Sequence, residues 1–398
     1  MAVLYVNGQR GIYDGILRAW GVDPYVFPFV DTDTVLSALR CLRAGVDVFV
    51  TNPCDPVRRV YDYSPLWLVL AKLPVTEAWL TPAGLFVDLT FIASLLLLPV
   101  GRGARQTALI VLGVLSSAVV FAAERANNDL VLFTLAIIAA ALVRTPALRI
   151  LGYAAALLAG LLKYYPMALL AMMTRERPRA FFGVLAAVLA AVAIFLVTMG
   201  HDLVRALHLV PVGQLFGDMY GSTILPRGLA TIYGWPDSAA VLMRVVLSAA
   251  AVAAGVSFGL RPKVIVALER LTEAERTMFL AGGLMILGSF FTAQNIGYRA
   301  VHLLLTLPAL TALWRFGAGR VWPAATVGVL ALLWALGWRN AISILIQGRT
   351  AARGTWVVRE IIWWLVITML IGVVFALIAR SQMVLRRSRQ GNAPGSAR

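Results

Sequence analysis

Residues 147–173 read ALRILGYAAALLAGLLKYYPMALLAMM, an almost wholly apolar run with Lys163 in its second half. A lone ammonium group in hydrocarbon costs several kcal/mol, so such a lysine normally pairs with an anion, faces a watery cavity or carries function. Pro166 removes a backbone donor and disfavours helical geometry in the residue before it. The run therefore predicts a hairpin of two half-helices, broken at residues 163–166, with Lys163 at its tip.

The composition is that of an all-α polytopic membrane protein. Of the 398 residues, 60% are hydrophobic and 14% are charged, and the mean hydropathy is +0.83, which excludes a soluble globular chain. The apolar runs lack the alternation of barrel strands, so they should be helices, the other structure that satisfies backbone polar groups in lipid. Together with the hairpin they predict roughly nine to eleven membrane helices. The runs lie at 79–99, 105–123, 128–143, 180–199, 239–260, 278–293, 300–316, 321–346 and 361–380.

The arginine-rich loops fall on one side of the membrane if the spans alternate and the hairpin returns to the side it came from. Because basic loops stay in the cytoplasm, this pattern predicts a cytoplasmic C-terminus, with 79–380 as the bundle and 381–398 as a basic, disordered tail. High arginine and alanine with scarce lysine suggest a bacterial plasma membrane. The formal net charge of +16 is spread along loops, where arginines contact anionic lipid headgroups, so the bilayer is a partner and nucleic acid is not.

Residues 1–78 are predicted to lie outside the membrane, although the sequence shows no span or signal peptide that would export them. We therefore expect an upstream membrane helix that this chain has lost. Within the segment, residues 35–44 have the spacing of an amphipathic helix that lies at the interface. Cys41 and Cys54 both fall in this outer region, where the compartment permits a disulfide; two unpaired thiols are the alternative.

Polar side chains concentrate in the outer loops of this topology. Asp31 and Asp33 precede the amphipathic segment, ERANND at 124–129 forms a tight turn, and QGRTAARGTWVVRE at 347–360 puts arginines outside, against the general trend. Transfer of a group from a lipid-linked phosphate uses such a set. A carboxylate can act as base on an acceptor hydroxyl, and cations can stabilise the departing phosphate.

This chemistry defines three groups of candidate residues. The predicted catalytic residues are Asp31 and Asp33. The donor phosphate would be bound by Lys163, Arg299, Arg349 and Arg353, with Arg359 also available. The predicted substrate contacts are Glu124, Arg125, Asn127, Asn128, Asp129, Tyr61, Tyr63 and Tyr298. No metal site and no cofactor are predicted, because the sequence has no HxxxH or HExxH spacing and no glycine-rich phosphate loop.

Several motifs occur in a fixed order along the chain. They are FVDTDTV (29–35), GVDVF (45–49), NPCDP (52–56), YDYSPLWL (61–68), ERANNDLVLF (124–133), LLKYYPMALL (161–170) and FFTAQNIGYRAVHLLLTLP (290–308). This series resembles the polytopic GT-C proteins related to glycosyltransferase family 87, whose motifs include FxD, NPCDP, ERGNND, LK-x-(Y/F)P and DYR. The resemblance is collinear over about residues 29–310.

The resemblance implies a GT-C helical bundle, a polyprenyl-phosphate sugar donor, often mannosyl, and a catalytic aspartate that maps onto Asp31. It also implies a membrane helix before the first outer loop. The chain departs from the family pattern at Ala126, where the family has glycine, at Ser64 and at Gly297, where it has aspartate. Loss of that carboxylate either leaves the charge of Arg299 free for phosphate or indicates a site that has drifted.

The candidate residues also have structural interpretations. Residues 31–33 form a D-x-D pattern, which holds a metal in soluble glycosyltransferases, and their aspartates could simply cap the following helix. The charges of 124–129 can compensate one another. Lys163 can pair with Glu124 or Asp129 and join two helices. Arg299 can be an interfacial anchor, and the tyrosines of YDYSPLWL can belong to an aromatic belt.

The leading prediction is an integral membrane glycosyltransferase that moves a sugar, with mannose expected, from a polyprenyl phosphate to an extracytoplasmic glycan or glycolipid acceptor. Two alternatives stay open. A flippase or transporter of a lipid-linked intermediate would spread charges through the midplane and contain inverted repeats, and no repeat is visible. An inactive scaffold in envelope biosynthesis is the other.

Overall fold

The structure is a computed structural model that describes residues 2–210, 213–292, 295–346 and 348–391, and this part of the chain is almost entirely helical. The α-helices are α1 (Ala2–Val6), α2 (Arg10–Ala19), α3 (Val30–Arg43), α4 (Leu80–Ser94), α5 (Ala104–Val114), α6 (Ser117–Glu124), α7 (Asn128–Leu142), α8 (Arg149–Leu162), α9 (Pro178–Leu209), α10 (Ile224–Tyr233), α11 (Asp237–Gly259), α12 (Pro262–Glu269), α13 (Glu273–Thr292), α14 (Leu307–Arg315), α15 (Val321–Leu333), α16 (Ala335–Leu345) and α17 (Arg349–Gly391).

Short 3₁₀ segments and one small ribbon complete the fold. The 3₁₀ segments are Pro65–Lys72, Glu77–Trp79, Leu95–Leu97, Pro146–Leu148, Tyr165–Arg175 and Gly297–Thr306. Strand β1 (Met219–Tyr220) pairs antiparallel with β2 (Asn295–Ile296), with Met219 opposite Ile296. The ribbon joins two of the loops that were predicted to lie outside.

Several helices are long and apolar enough to cross a membrane, which confirms the all-α class and indicates a membrane protein. In the part of the chain that the structure describes there are four by length and composition, or up to six if each bent pair is one span. The four are Glu77–Leu97, Pro178–Leu209, Asp237–Gly259 and Thr350–Arg380; the bent pairs are α5 with α6 and α15 with α16. The larger count of nine to eleven and the GT-C arrangement stay predictions.

The hairpin around Lys163 is present as predicted. Helix α8 ends at Leu162, the helical structure is interrupted at residues 163–164, and the 3₁₀ segment Tyr165–Arg175 returns beside α8. The two feet of the hairpin meet, since Arg149 Nη1 lies 3.4 Å from Glu176 Oε1 and the Tyr153 hydroxyl donates to the same oxygen at 2.6 Å. Both ends of the hairpin therefore lie at one end of the bundle and Lys163 points toward the other.

Helix α9 gives the bundle its two ends. Within its most apolar window only 6% of the residues are buried, so most of its surface is free to face lipid. At roughly 1.5 Å per residue, Ala180 and Leu203 are about 35 Å apart, comparable with the thickness of a bilayer's hydrocarbon core. We call the end near Ala180 the arginine end and the end near Leu203 the cavity end.

The amphipathic helix predicted at 35–44 begins earlier and is more buried than its spacing indicated, while its interfacial location stays a prediction. Helix α3 begins at Val30, and every side chain from Val30 to Leu39 is buried. Its apolar residues pack against the 3₁₀ segment Pro65–Lys72 and helix α4. Apolar spacing alone could not distinguish a helix covered by protein from one that lies on lipid. A disulfide joins Cys41, within α3, to Cys54.

The last helix also differs from expectation. Helix α17 runs to Gly391, so residues 381–391 of the predicted disordered tail are helical. Residues 392–398 lie outside the described part of the chain.

Candidate functional site

The tip of the hairpin lies in a cluster around Asp129. Lys163 Nζ is 2.7 Å from Asp129 Oδ2, Arg299 Nε is 3.4 Å from the same oxygen, and His302 Nε2 is 3.6 Å from Oδ1. The Tyr165 hydroxyl also donates to Asp129 and lies 2.7 Å from His302 Nε2. The alternative that Lys163 pairs with Asp129 is thus what the structure contains. The predicted phosphate ligands Lys163 and Arg299 lie together at the same carboxylate.

This cluster has more positive than negative charge. One carboxylate, Asp129, faces two basic side chains, Lys163 and Arg299. The carboxylate is fully buried, whereas each cation keeps 11% of its side chain exposed. Because burying an unpaired charge is costly, Asp129 fixes the two cations in place. Their exposed parts remain available to a second anion.

A cavity of about 200 Å³ opens beside these cations, and we call it the Lys163 cavity. Its polar wall is formed by Asp62, Tyr63, Lys163, Tyr298 and Arg299. Its opposite wall is apolar and comes largely from α9, with Val192, Phe195, Leu196, Leu203, Ala206 and Leu207. The cavity therefore has a charged head and a hydrocarbon wall that continues onto the lipid-facing helix.

Asp31 is held in a fixed position behind this cavity. Asn127 Nδ2 donates to Asp31 Oδ2 at 2.6 Å, and guanidinium nitrogens of Arg59 and Arg125 lie 3.7 and 3.6 Å from Oδ1. The backbone fixes the same contact, since the Asp31 amide donates to the Arg125 carbonyl at 3.2 Å. Asn127 also caps α7 by accepting a bond from the Asp129 amide at 2.8 Å. One asparagine thereby connects the Asp31 and Asp129 sites.

Asp33 does not join this site. Residues two apart on a helix project in nearly opposite directions, and the nearest cation to Asp33 is Arg40, at 3.9 Å. Burial raises the pKa of Asp33 to about 6, against the effect of Arg40. The capping alternative is also wrong, because the N-cap of α3 is Phe29 and no side chain caps it. Asp31 and Asp33 have separate partners, and no group of three or more metal-ligating side chains occurs among the described residues.

Asp62 is the carboxylate that the sequence analysis did not select. It lines the Lys163 cavity, and burial together with the nearby charge of Asp31 raises its pKa to about 6, while Lys163 and Arg59 oppose the rise. Its position between two tyrosines in YDYSPLWL was the available signal. An aspartate between two tyrosines can either be exposed to solvent or line a cavity, and the sequence alone does not distinguish these two positions.

Some residues of the turn at 124–129 make structural contacts, and others contact the proposed site residues. Glu124 is buried and accepts from the Tyr13 hydroxyl at 3.1 Å, so its contacts are structural. Arg125 pairs with Asp31 and lies 4.0 Å from Glu124. Asn128 is buried, and its Nδ2 has no hydrogen-bond partner among the described residues. The interpretation that these charges only compensate one another is therefore wrong for Asp129, whose partners lie on other elements.

A second, more polar cavity of about 370 Å³ is lined by Arg125, and we call it the Arg125 cavity. Phe121 and Arg125 line it, and the ring of Phe121 packs edge-on against Tyr298 of the Lys163 cavity at 5.3 Å. Its polar lining includes Asp23, Gln214, Asp218, Arg339, Asn340, Ser343 and Thr355. The Phe121–Tyr298 contact thus joins the linings of the two cavities, and Asp31 pairs with Arg125 without lining either cavity itself.

Two of the three tyrosine candidates line the Lys163 cavity and one does not. Tyr63 and Tyr298 line the Lys163 cavity. Tyr61 is fully buried, does not line the Lys163 cavity and donates to the Ser64 carbonyl at 2.7 Å. Ser64 in turn donates to the Leu161 carbonyl at 2.7 Å, which attaches this loop to the hairpin.

Neither Arg353 nor Arg359 is among the residues that line the Lys163 cavity. Arg353 is exposed and lies 6.0 Å over the ring of Phe216, and the side chain of Arg349 is outside the described part of the structure. Arg359 is buried, pairs with Glu360 at 2.7 Å and donates to the Gly217 carbonyl at 2.6 Å. Arg359 thus holds the loop at Gly217 in place.

Gly297, where the resembled family has aspartate, sits against β1. A Cβ at this position would lie 2.9 Å from the carbonyl oxygen of Asp218, so a side chain would require the ribbon to shift. The departure has a local steric reason.

Comparison of the chain with protein-family models, with curated proteins and with solved structures found no match.

Proposed function

We propose that the protein is an integral membrane glycosyltransferase that transfers a sugar, with mannose expected, from a polyprenyl-phosphate donor to a glycan or glycolipid acceptor. The observation that carries the proposal is the pair Lys163 and Arg299. They share one buried carboxylate, expose their remaining surface to a cavity, and face the apolar side of a lipid-facing helix. A phosphate on an isoprenoid chain matches both properties.

The proposed reaction is a single displacement. The acceptor oxygen attacks the anomeric carbon, the bond from that carbon to the phosphate oxygen breaks, and the electron pair stays on the departing polyprenyl phosphate. Lys163 and Arg299 stabilise that developing charge. The proton of the acceptor hydroxyl passes to a carboxylate, and one displacement inverts the anomeric configuration.

Two carboxylates, Asp62 and Asp31, are candidates for the base, and their different surroundings favour different roles. Asp62 faces the cavity with a pKa of about 6, close to the pH at which a base is both ionised and basic. Asp31 has two guanidinium partners and an amide donor, an arrangement that holds a carboxylate in place. We assign proton acceptance to Asp62 and place Asp31, the catalytic aspartate of the resemblance, in a positioning role.

The acceptor would enter through the Arg125 cavity, which is more polar and adjoins the Lys163 cavity at the contact of Phe121 with Tyr298. In this proposal the cavity end faces outside a bacterial plasma membrane and the C-terminus is cytoplasmic. The donor would enter from the bilayer beside α9.

The test uses the full chain in liposomes with synthetic polyprenyl-phosphate mannose and membrane glycolipid acceptors. Lys163→Ala should lower transfer by about 100-fold or more, because it removes one cation from the developing phosphate. Asp129 keeps Arg299 as a partner, so the fold should persist. Arg353→Ala, which removes an exposed arginine away from the cavity, is the matched control.

Equal transfer by wild type and Lys163→Ala would remove the proposed phosphate site. Movement of the intact donor across the liposome membrane without transfer would replace the enzyme by a flippase. An absence of both activities over several sugar donors would favour the scaffold alternative.

A further inference from the structure

A large basic cavity lies at the arginine end of the bundle, away from the Lys163 cavity. It has a volume of about 570 Å³, and we call it the arginine cavity. Five arginines and two glutamates line it, an excess of three positive charges: Arg149, Arg175, Arg177, Arg276 and Arg380 with Glu176 and Glu273. These residues come from the feet of the hairpin, the start of α9 and α13, and the later part of α17.

The glutamates compensate only part of this charge. Glu176 pairs with Arg149 at 3.4 Å, and Glu273 pairs with Arg175 at 2.7 Å. After these two pairs, three arginines of the cavity still have no carboxylate among the residues that line it.

Those three arginines have few partners of their own. Arg380 pairs with Glu269 at 3.5 Å. Among the described side chains neither Arg177 nor Arg276 forms a salt bridge, although the charges of Glu273, Glu269 and Glu275 act on Arg276 from a greater distance. Nη1 of Arg380 is buried without a hydrogen bond in the described structure. Guanidinium groups that outnumber the carboxylates around one space create a site for an added anion with several oxygens.

The remaining walls indicate the source of that anion. Met172, Leu280 and Ile378 line the cavity together with the arginines, and so does Ala180, near the start of the largely unburied helix α9. If α9 spans a bilayer, its length places this end at the level where headgroups meet the hydrocarbon core. A free phosphate ion would use the arginines only, whereas a phospholipid would also cover the apolar walls.

We propose that the arginine cavity binds the phosphate headgroup of an anionic membrane lipid. Basic pockets between membrane helices on the cytoplasmic side are suited to such headgroups. The site is separate from the proposed transferase site, since α9 places the two about 35 Å apart. The outcome of a test of lipid binding at the arginine cavity therefore does not decide whether the proposed transfer reaction occurs.

The experiment measures the melting temperature of the full chain in detergent during titration with dioctanoyl phosphatidylglycerol. Dioctanoyl phosphatidylcholine and inorganic phosphate are titrated in parallel. The double variant Arg177→Ala/Arg276→Ala should raise the half-saturating concentration of phosphatidylglycerol by about tenfold or more, because two charge-assisted contacts are lost. Arg179→Ala removes an exposed arginine that does not line the cavity and should leave that concentration unchanged.

A second variant, Arg177→Lys/Arg276→Lys, keeps the charge and should retain saturable binding even if the alanine variant does not fold. Equal stabilisation by phosphatidylcholine and phosphatidylglycerol would overturn the proposal, as would wild-type behaviour in the alanine variant. Stabilisation by inorganic phosphate at the same concentrations would overturn the lipid as its source. Native mass spectrometry should find phosphatidylglycerol retained by the wild type and lost from the alanine variant.

Discussion

At the scale of single residues, the central feature is the electrostatic coupling of Asp31 and Asp62. The charge of Asp31 contributes to the raised pKa of Asp62, while Lys163 and Arg59 oppose it. Asp31 itself is held by Arg59, Arg125 and Asn127. Carboxylates in such different surroundings can perform different roles in one reaction.

This coupling predicts a shift in the pH profile of transfer. If Asp62 accepts the proton, the rate should fall as the pH drops below about 6, because the protonated carboxyl cannot act as base. Asp31→Asn removes a negative charge, so the pKa of Asp62 should decrease and the fall should move to lower pH. Asp62→Asn should abolish transfer. The measurement is the initial rate of transfer from pH 4 to 8, in steps of about half a unit.

The control for this prediction is Asp33→Asn, whose carboxyl faces away from the cavity and whose pH profile should match the wild type. Loss of transfer at every pH in Asp31→Asn, with Asp62→Asn still active, would instead make Asp31 the base.

Asp33 carries a separate prediction about stability. Its pKa is raised from 3.8 to about 6 by burial, so the folded protein binds a proton more tightly than the unfolded chain does. The resulting penalty is absent below about pH 4, grows as the pH rises through 6, and is fully present at pH 7. Asp33→Asn should therefore stabilise the protein at pH 7 by about 1 to 2 kcal/mol and not at pH 4. Thermal unfolding in detergent at both pH values measures this, and a lower melting temperature at pH 7 would contradict it.

At the scale of elements, the close packing of α11 on α17 depends on glycine. A Cβ at Gly255 would lie 2.7 Å from the carbonyl oxygen of Thr368, and a Cβ at Gly259 would overlap the carbonyl of Gly372. Small residues allow membrane helices to approach closely enough for backbone contact. The two helices are therefore joined by shape, with little help from polar side chains.

This packing predicts that Gly259→Leu lowers the free energy of unfolding by about 1 to 3 kcal/mol, because the helices must separate. Gly183→Leu is the matched control, since Gly183 lies on α9 with open space around its Cα. Melting temperatures in detergent should fall for the first variant only. A similar fall in both would show that added apolar volume, and not the α11–α17 contact, is responsible.

At the scale of the whole molecule, the two ends of the bundle have different chemistry. One carboxylate, three tyrosines and two basic side chains line the Lys163 cavity at one end, and arginines dominate the cavity at the other. The proposed orientation puts the arginine end in the cytoplasm.

Labelling with a membrane-impermeant maleimide tests this orientation on intact cells. The chain's two cysteines are joined in a disulfide, so introduced thiols are labelled without background. Ser238→Cys, at the start of α11, should be labelled from outside, and Arg179→Cys only after permeabilisation. The opposite pattern would reverse the orientation, and equal labelling of both would contradict a membrane between them.

The sequence by itself determined the helical membrane class and the hairpin broken at Lys163, and it predicted Lys163, Arg299 and Asp31 as site residues. Those inferences rest on the cost of charge in hydrocarbon and on the backbone of proline, which act locally. Only the tertiary structure decided which charges meet. Asp129 pairs with Lys163 and Arg299, Asp62 reaches the cavity, Asp33 faces away, and Arg353 lies elsewhere, because each contact depends on how separate helices pack.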